Sequence, residues 1–413
     1  MRPGNAFGRA FSFLHASNFH LEQMPRGLDE IPVPLSAAFL EAPYAAATAV
    51  FDAALAREVD FVVLSGDLVD CRLSGPRGPV FLAEQFARLN EANIEVYWAS
   101  GGVDFLGDWP ARVALPENVH RFAVGNVEEL ILHRDGEPLV CLAGISRPAE
   151  QHVPTAEFRP DPAGLYTVAA VHGAGDVRAL GSSRIHYWAL GGRANPETRE
   201  HRGRVIHFSG SPQGREPGHA GPHGATIVRV DENYRTVTET VHADAVRWLW
   251  ESIRCEDGWV MDDLELAMHE RVNELRDAHP SCHLCISWRV AGDAPVVESL
   301  RQVAGRDEIL LRLRSEFGEN DPVAWSVSVE SERSRVYADE ELAESTFLGE
   351  YLREAHEFSA DHSRDIDLLS QVDPSFRETW RQLAAADSPR KRRRVLDEVA
   401  ATGGELLHGR TSR

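Results

Sequence analysis

The chain has 413 residues, 43% of them hydrophobic, and a formal net charge of −21 from 43 Lys and Arg against 64 Asp and Glu. That length supports a sizeable core and more than one domain, while the acidic excess argues against broad, non-specific affinity for nucleic acid, which rests on Lys and Arg neutralising phosphates. No run of about 18 apolar residues and no signal-type apolar segment near the N-terminus is read here, so a membrane span is not expected and a cytoplasmic location is the default.

In chain order, the apolar run 11–15 reads as a first strand leading into Asn18 and His20. An alanine-rich helix is expected over 34–58, a second strand over 60–64 ending at Gly66 and Asp67, and a second helix over 80–93. A third strand, 94–98, ends in the turn Gly101, Gly102, Val103, Asp104; the runs 167–171 and 186–190 lead into His172 and into Gly191, Gly192, Arg193 and Ala194. Strands are expected again at 204–208, 225–230 and 236–242, then a helix over 262–278, a strand over 282–290, mostly helix over 296–317 and a strand over 323–329. From 339 onward strand signals vanish, leaving helical segments punctuated by Pro374 and Pro389. Open α/β sheets place working residues where strands end and loops converge, so these junctions are the candidate site.

Several other signals have plain structural readings. Cys282 and Cys285 lie three apart on an expected strand, where their side chains point to opposite faces, so they read as core rather than zinc ligands. The five scattered cysteines fit reduced thiols better than a disulfide framework. Asp70 and Asp104 read as loop braces, and His219 and His223 as residues of a Gly/Pro-rich loop that would supply substitute ligands only if it reached the site. The basic run 390–394 reads as a solvated or partner-facing helix.

The five strand-end signals, taken in order, resemble the calcineurin-like metallophosphoesterases, whose pattern runs Asp-x-His, Gly-Asp-x-x-Asp, Gly-Asn-His-Asp, a later His and Gly-His-x-His. Further marks at 13–17, 187–191, 209–215, 221–224, 245–248 and 347–350 are similar to the SbcD-like DNA repair exonucleases, in particular their YhaO-type branch, over nearly the whole chain. The resemblance implies an α/β, four-layer metallophosphoesterase sandwich of two packed mixed sheets flanked by helices over 1–242. It further implies a small α+β capping domain over 243–338, and a helical C-terminal region over 339–413 for docking an ATPase. The implied partner is an SbcC-like or YhaN-like coiled-coil ATPase, with DNA and a second copy of the chain as further candidates and no membrane.

Carried over position by position, the resemblance leaves a remnant metal site. His20, Asp67 at the bridging position, and His172 are kept, and Asn18 replaces an Asp with an amide that can coordinate without bringing charge. Gly102, Val103, Gly192 and Ala194 stand where Asn and three His are expected, and none offers a side-chain donor. Two hard divalent ions would be poorly held by this set, and the missing imidazole at Val103 removes help at the scissile phosphate. The leading expectation is therefore a catalytically impaired subunit, a pseudo-nuclease acting as scaffold or regulator, with no catalytic residue assigned. The alternative is an active exonuclease or phosphodiesterase using a single Mn or other divalent ion at His20, Asp67 and His172, or chemistry rebuilt from Asp104, Asp108 or Arg193. A third reading is a binding module that uses the vacated cavity.

Overall fold

Short strands whose alternate residues face opposite ways dictate the layers of this protein. The computed structural model describes residues 8–28, 31–146, 153–173, 175, 177–292, 294–331, 346–360, 396 and 399. The expected helices beyond 360 and the basic run 390–394 lie outside the described residues, save for the two single positions.

The first sheet joins β1 (Phe11–Ala16), β2 (Phe61–Leu64), β3 (Glu95–Trp98) and β4 (Val119–Arg121) in parallel, with β11 (Gly224–Val230) and β12 (Thr236–His242) added antiparallel beside β1. The second sheet runs in the order β5 (Glu128–Arg134), β6 (Glu137–Ile145), β7 (Thr167–His172), β8 (Tyr187–Gly191), β10 (Arg204–Phe208), β9 (Glu197–His201), parallel from β6 to β10 and antiparallel at both edges. Both are mixed sheets of six strands, packed face to face and flanked by helices.

Period-two alternation sorts the side chains into three layers. Phe11 and Phe13 of β1, Phe61 and Val63 of β2, and Tyr97 of β3 face Val168, Ala170, Tyr187 and Ala189 of the second sheet. Their neighbours Leu14, Val62, Leu64 and Trp98 turn the other way, onto helices α1 (Val33–Ala56) and α3 (Arg77–Glu91). Val171, Trp188 and Leu190 close the far face beneath α4 (Val177–Ser182). Between α1 and α3 in sequence, the short helix α2 (Cys71–Ser74) follows the loop after β2.

Helix α1 departs from expectation: by length and composition it would cross a membrane. It is a core helix, however, with Val50, Phe51 and Ala54 on the first sheet and Leu35, Phe39 and Ala42 on a third sheet. That sheet consists of β13 (Val246–Arg254), β14 (His283–Ala291) and β15 (Ala324–Ser331), all parallel and linked through α5 (Met261–Ala278), α6 (Pro295–Ser299) and α7 (Val303–Phe317). Val246 and Trp248 lie at the opening of this sheet. Cys282, just before β14, and Cys285 within it lie in separate cores, and all five cysteines are free. Helix α8 (Phe347–Ala360) follows.

Strands β4, β5, β6, β9 and β13 were not anticipated. The two outer strands of the second sheet explain part of this: β5 alternates partly buried and exposed positions, and β9 is Glu-Thr-Arg-Glu-His, with no apolar run to betray it.

Polar groups also lie between the sheets. His15 pairs with the Tyr187 hydroxyl at 3.1 Å and the Ser65 hydroxyl at 2.5 Å, and His207 sits between the Thr198 and Thr226 hydroxyls, each at 2.8 Å. Burial pushes the His15 pKa well below its ordinary value, with His207 adding to the effect, and burial takes His207 down to about 4. Both imidazoles are neutral in the folded protein, whereas the unfolded chain protonates them near pH 6.5. Below that pH the unfolded state binds more protons, so stability that is complete above pH 6.5 is lost as pH falls toward 4. Urea unfolding at pH 7.5 and 4.5 should show this loss, with His207 contributing on the order of 2 kcal/mol. The fall should be shallower in a His207→Asn variant.

Candidate functional site

Because β1, β2 and β3 are parallel, as are β7, β8 and β10, the loops at their carboxyl ends gather along one edge of the sandwich. Asp67 lies at the centre of this edge. Its Oδ2 is 3.3 Å from His172 Nε2 and 3.5 Å from His20 Nε2, and its Oδ1 accepts the Val103 N–H at 3.1 Å. The three residues kept from the expected ligand set therefore do meet.

Each imidazole is oriented from behind. His172 Nδ1 donates to the Ser65 carbonyl at 2.9 Å, which leaves Nε2 to face Asp67. His20 Nδ1 lies 3.2 Å from Glu22 Oε1, while Glu22 Oε2 accepts the Asp70 N–H at 2.9 Å. Burial alone would raise the Glu22 carboxyl, but the hydrogen bonds from His20 and the Asp70 N–H hold it below the usual range, so it is ionised. A carboxylate or carbonyl that fixes an imidazole tautomer is the usual support of a metal-ligating histidine. Sequence reasoning missed Glu22 and Ser65; the spacing of Glu22 two residues after His20 was the available signal for the first.

The backbone here is strained where the side chains work. Asn18, His20 and Asp67 adopt φ of 56°, 45° and 58°, in the left-handed region that side chains other than Asn, Asp and His rarely enter. Around His172 the chain closes so tightly that a Cβ at Gly101 would lie 2.8 Å from the ring and one at Gly191 2.7 Å from Nδ1. Asp104 braces the pocket: its carboxylate accepts the N–H groups of Asp67 (3.0 Å), Gly101 (2.6 Å) and Leu68 (3.3 Å) and the Trp98 indole N–H (2.8 Å). Burial and the neighbouring Asp67 charge raise its pKa against those donors. Asp70 caps α2 by accepting the Arg72 N–H at 2.9 Å. The loop-brace reading of both aspartates matches these contacts.

The remaining expected ligand positions do not converge on an ion. The Asn18 Nδ2 donates to the Arg193 carbonyl at 2.7 Å and its Oδ1 accepts the Gly192 N–H at 3.0 Å, so the amide fastens the first sheet to the turn after β8. Gly192 adopts φ +91°, a conformation that disfavours any side chain, and a Cβ there would stand 3.3 Å from His172 Nε2. Gly102, Val103 and Ala194 contribute no donor atom, and the Ala194 carbonyl is bound to the Ser211 N–H at 2.8 Å. Asp108 lies 3.7 Å from Arg72, and Arg193 turns onto Glu197 and over the Phe208 ring. Both ring nitrogens of His223 face carbonyl oxygens, of Ser211 at 3.0 Å and His219 at 2.9 Å. Among the described residues no group of three or more His, Cys, Asp and Glu side chains is arranged to hold a metal ion. The residues present thus do not fit the two-ion centre that the resemblance implies.

A further loop, 210–221, lies over this edge and is hung from the third sheet. The Gln213 side chain accepts the N–H groups of Ala245 (3.0 Å) and Val246 (3.2 Å) and donates to the Val246 carbonyl (2.5 Å). The indole N–H groups of Trp248 and Trp250 donate to the carbonyls of Gly214 (3.0 Å) and Pro217 (3.1 Å). This loop carries Arg215, whose carbonyl accepts the Arg26 N–H of the loop after β1 at 2.6 Å.

No family model matches the sequence. The chain is 26% identical over 335 residues, 78% of its own length and 81% of the relative's, to "Uncharacterized metallophosphoesterase YhaO" of Bacillus subtilis (strain 168). Among solved structures it is similar to GAP50, the anchor in the inner membrane complex of Plasmodium, with 11% identity and a TM-score of 0.34 over 57% of this chain and 85% of that one. It is also similar to wild-type Vps29 complexed with Zn2+ from Entamoeba histolytica, with 15% identity and a TM-score of 0.25 over 56% and 99% of the two chains. The bacterial relative supports a metallophosphoesterase-type protein, a class whose name implies divalent metal use.

The Asn18 clamp gives a direct test of the site's commitment. Asn18→Asp would restore the ligand type expected at this position but would set a carboxylate oxygen against the Arg193 carbonyl where an amide now donates. The variant should unfold more easily by about 1–3 kcal/mol, read from chemical unfolding. Unchanged or raised stability would show that the amide is not needed.

Proposed function

We propose that this chain is an SbcD/YhaO-like metallophosphoesterase-fold subunit of a DNA repair or DNA-end-processing assembly. In this reading it has lost hydrolysis and serves as scaffold or regulator of an SbcC/YhaN-like coiled-coil ATPase. The observation that carries the proposal is the fate of the ligand positions: Asp67 is met by two imidazoles, while Asn18 is spent on a turn and Gly102, Val103, Gly192 and Ala194 offer nothing. Loop braces and glycine turns that shape the pocket survive, so the fold has been kept without the donor set that hydrolysis requires. The resemblance of 209–215 and 347–350 to the SbcD-like chains supports the ATPase partner, and α8, with Phe347 exposed at its start, is a surface such a partner could engage.

A second reading is supported by the meeting of His20 and His172 on one carboxylate oxygen, namely an active exonuclease or phosphodiesterase with one ion there. Elemental analysis of the purified protein, with manganese-dependent cleavage of single-stranded DNA and of a phosphodiester dye, separates the two. The proposal expects metal well below one equivalent and turnover no higher than that of Asp67→Ala. Near-stoichiometric Mn, Fe or Zn, with cleavage abolished by Asp67→Ala, would sink it in favour of the second.

A further inference from the structure

Three of the four edges of the two-sheet sandwich are guarded against pairing with another strand. Strand β4 has three residues, β5 breaks its ladder with an irregularity between Leu132 and His133, and β9 is Glu-Thr-Arg-Glu-His. Short strands, bulges and charged side chains are the ordinary means of blunting an edge. The fourth edge, β12, is long and unbroken. Its seven residues, Thr-Val-Thr-Glu-Thr-Val-His, pair with β11 in continuous register, and among the described residues no strand pairs with its outer side. Its one carboxylate, Glu239, is already neutralised by Arg57 at 2.8 Å and Arg229 at 2.6 Å.

The alternation of the ladders fixes what β12 presents. The Asp60 N–H meets the Ser12 carbonyl and the Ser65 N–H the Ala16 carbonyl, so Ser12, Leu14 and Ala16 bond toward β2 and Phe11, Phe13 and His15 toward β11. Their partners Val230, Val228 and Thr226 bond back to β1, which leaves Arg229, Ile227 and Ala225 to bond Val237, Glu239 and Val241 of β12. At the turn between β11 and β12, the Asp231 N–H on the Arg235 carbonyl at 3.0 Å keeps the same alternation. Thr236, Thr238, Thr240 and His242 therefore hold their N–H and carbonyl groups outward. On the face toward α1, Val237 is 51% exposed, while Val241 packs against the core beneath that helix.

We propose that β12 is a self-association surface, pairing antiparallel with β12 of a second copy of this chain about a two-fold axis through Glu239. The strand reads the same in both directions from that residue: Val237, Thr238, Glu239, Thr240, Val241. An antiparallel self-pair therefore sets Thr238 opposite Thr240 of the other copy. These residues carry the outward backbone groups, so each such pair exchanges two hydrogen bonds, and Thr beside Thr is a favourable cross-strand pair. Exposed Val237 comes to lie beside Val241 of the other copy, on the face toward α1. At the axis the two Glu239 carboxylates face each other, which alone would oppose pairing. Each arrives with Arg57 and Arg229, however, so two carboxylates meet four guanidinium groups. A patch that complements itself is what a two-fold dimer requires, and added strands at a sheet edge supply main-chain hydrogen bonds. The pairing uses no residue of the strand-end site.

The test is sedimentation velocity of the full chain. A seven-residue edge is a small interface, so the 45.8 kDa monomer should pass to a species of twice that mass between about 1 and 100 μM. In Thr240→Pro the lost N–H points away from β11, so the fold should be kept, as read by circular dichroism, and self-association weakened at least about tenfold. Glu239 faces its own copy across the axis at about 4.5 Å between Cα atoms, so Glu239→Cys should form a disulfide-linked dimer on mild oxidation. Val237→Cys, displaced from the axis, should not exceed the wild-type background. If Thr240→Pro does not fold, Thr238→Pro, altered at the neighbouring outward N–H, and the cross-linking decide. A wild type that stays monomeric over that range overturns the inference. So does a dimer that a folded proline variant leaves intact, because the second copy then sits elsewhere, and so does cross-linking through Val237→Cys equal to that through Glu239→Cys.

Discussion

Everything in this protein that resembles an active site depends on the face-to-face packing of two mixed sheets. Phe13 stacks on Phe61 with ring centroids 4.9 Å apart, and Tyr187 of the opposite sheet meets Phe13 edge-on at 5.1 Å. This aromatic seam sets the register in which the strand ends of one sheet face those of the other. His172 can then reach across to the Ser65 carbonyl, and Asn18 to the turn after β8. Without the seam, Asp67 and His172 would belong to separate surfaces.

Within that frame, coordination and architecture have come apart. The groups that shape the pocket are intact: Asp104 gathers four donors, the glycines close on His172, and strained backbone is tolerated at Asn18, His20 and Asp67. Gly102, Val103, Gly192 and Ala194, by contrast, carry no side-chain donor. The Asn18 amide both donates and accepts, where a carboxylate only accepts, and its two backbone partners on the opposite sheet make it part of the fold's stability.

Much of this was legible in the sequence because strand-end signals are local. An apolar run followed by Gly66 and Asp67, or by Val171 and His172, announces both an element and the residue it presents, and the helices 33–56 and 261–278 follow from composition and periodicity. What was not legible depended on partners distant in the chain. Strand β9 is polar because it is an outer strand, and Glu22 acquires meaning only when its loop meets the Asp70 N–H, 48 residues on. The partners of the Asn18 amide were not legible either, because nothing near it in sequence reveals the Arg193 carbonyl.

The suspension of loop 210–221 has a mechanical meaning as well. Gln213, Trp248 and Trp250 tie this loop to Ala245 and β13 through five hydrogen bonds, three of them from or to one glutamine side chain. The same loop is held on its other side by the Arg26 N–H on the Arg215 carbonyl at 2.6 Å and by its own Ser211 N–H on the Ala194 carbonyl at 2.8 Å. A small rotation of the third sheet would therefore be passed through this loop to the loops after β1 and β8. The edge of the sandwich is in that sense a gauge of the third sheet's position, able to report a load applied far from it without any chemistry taking place.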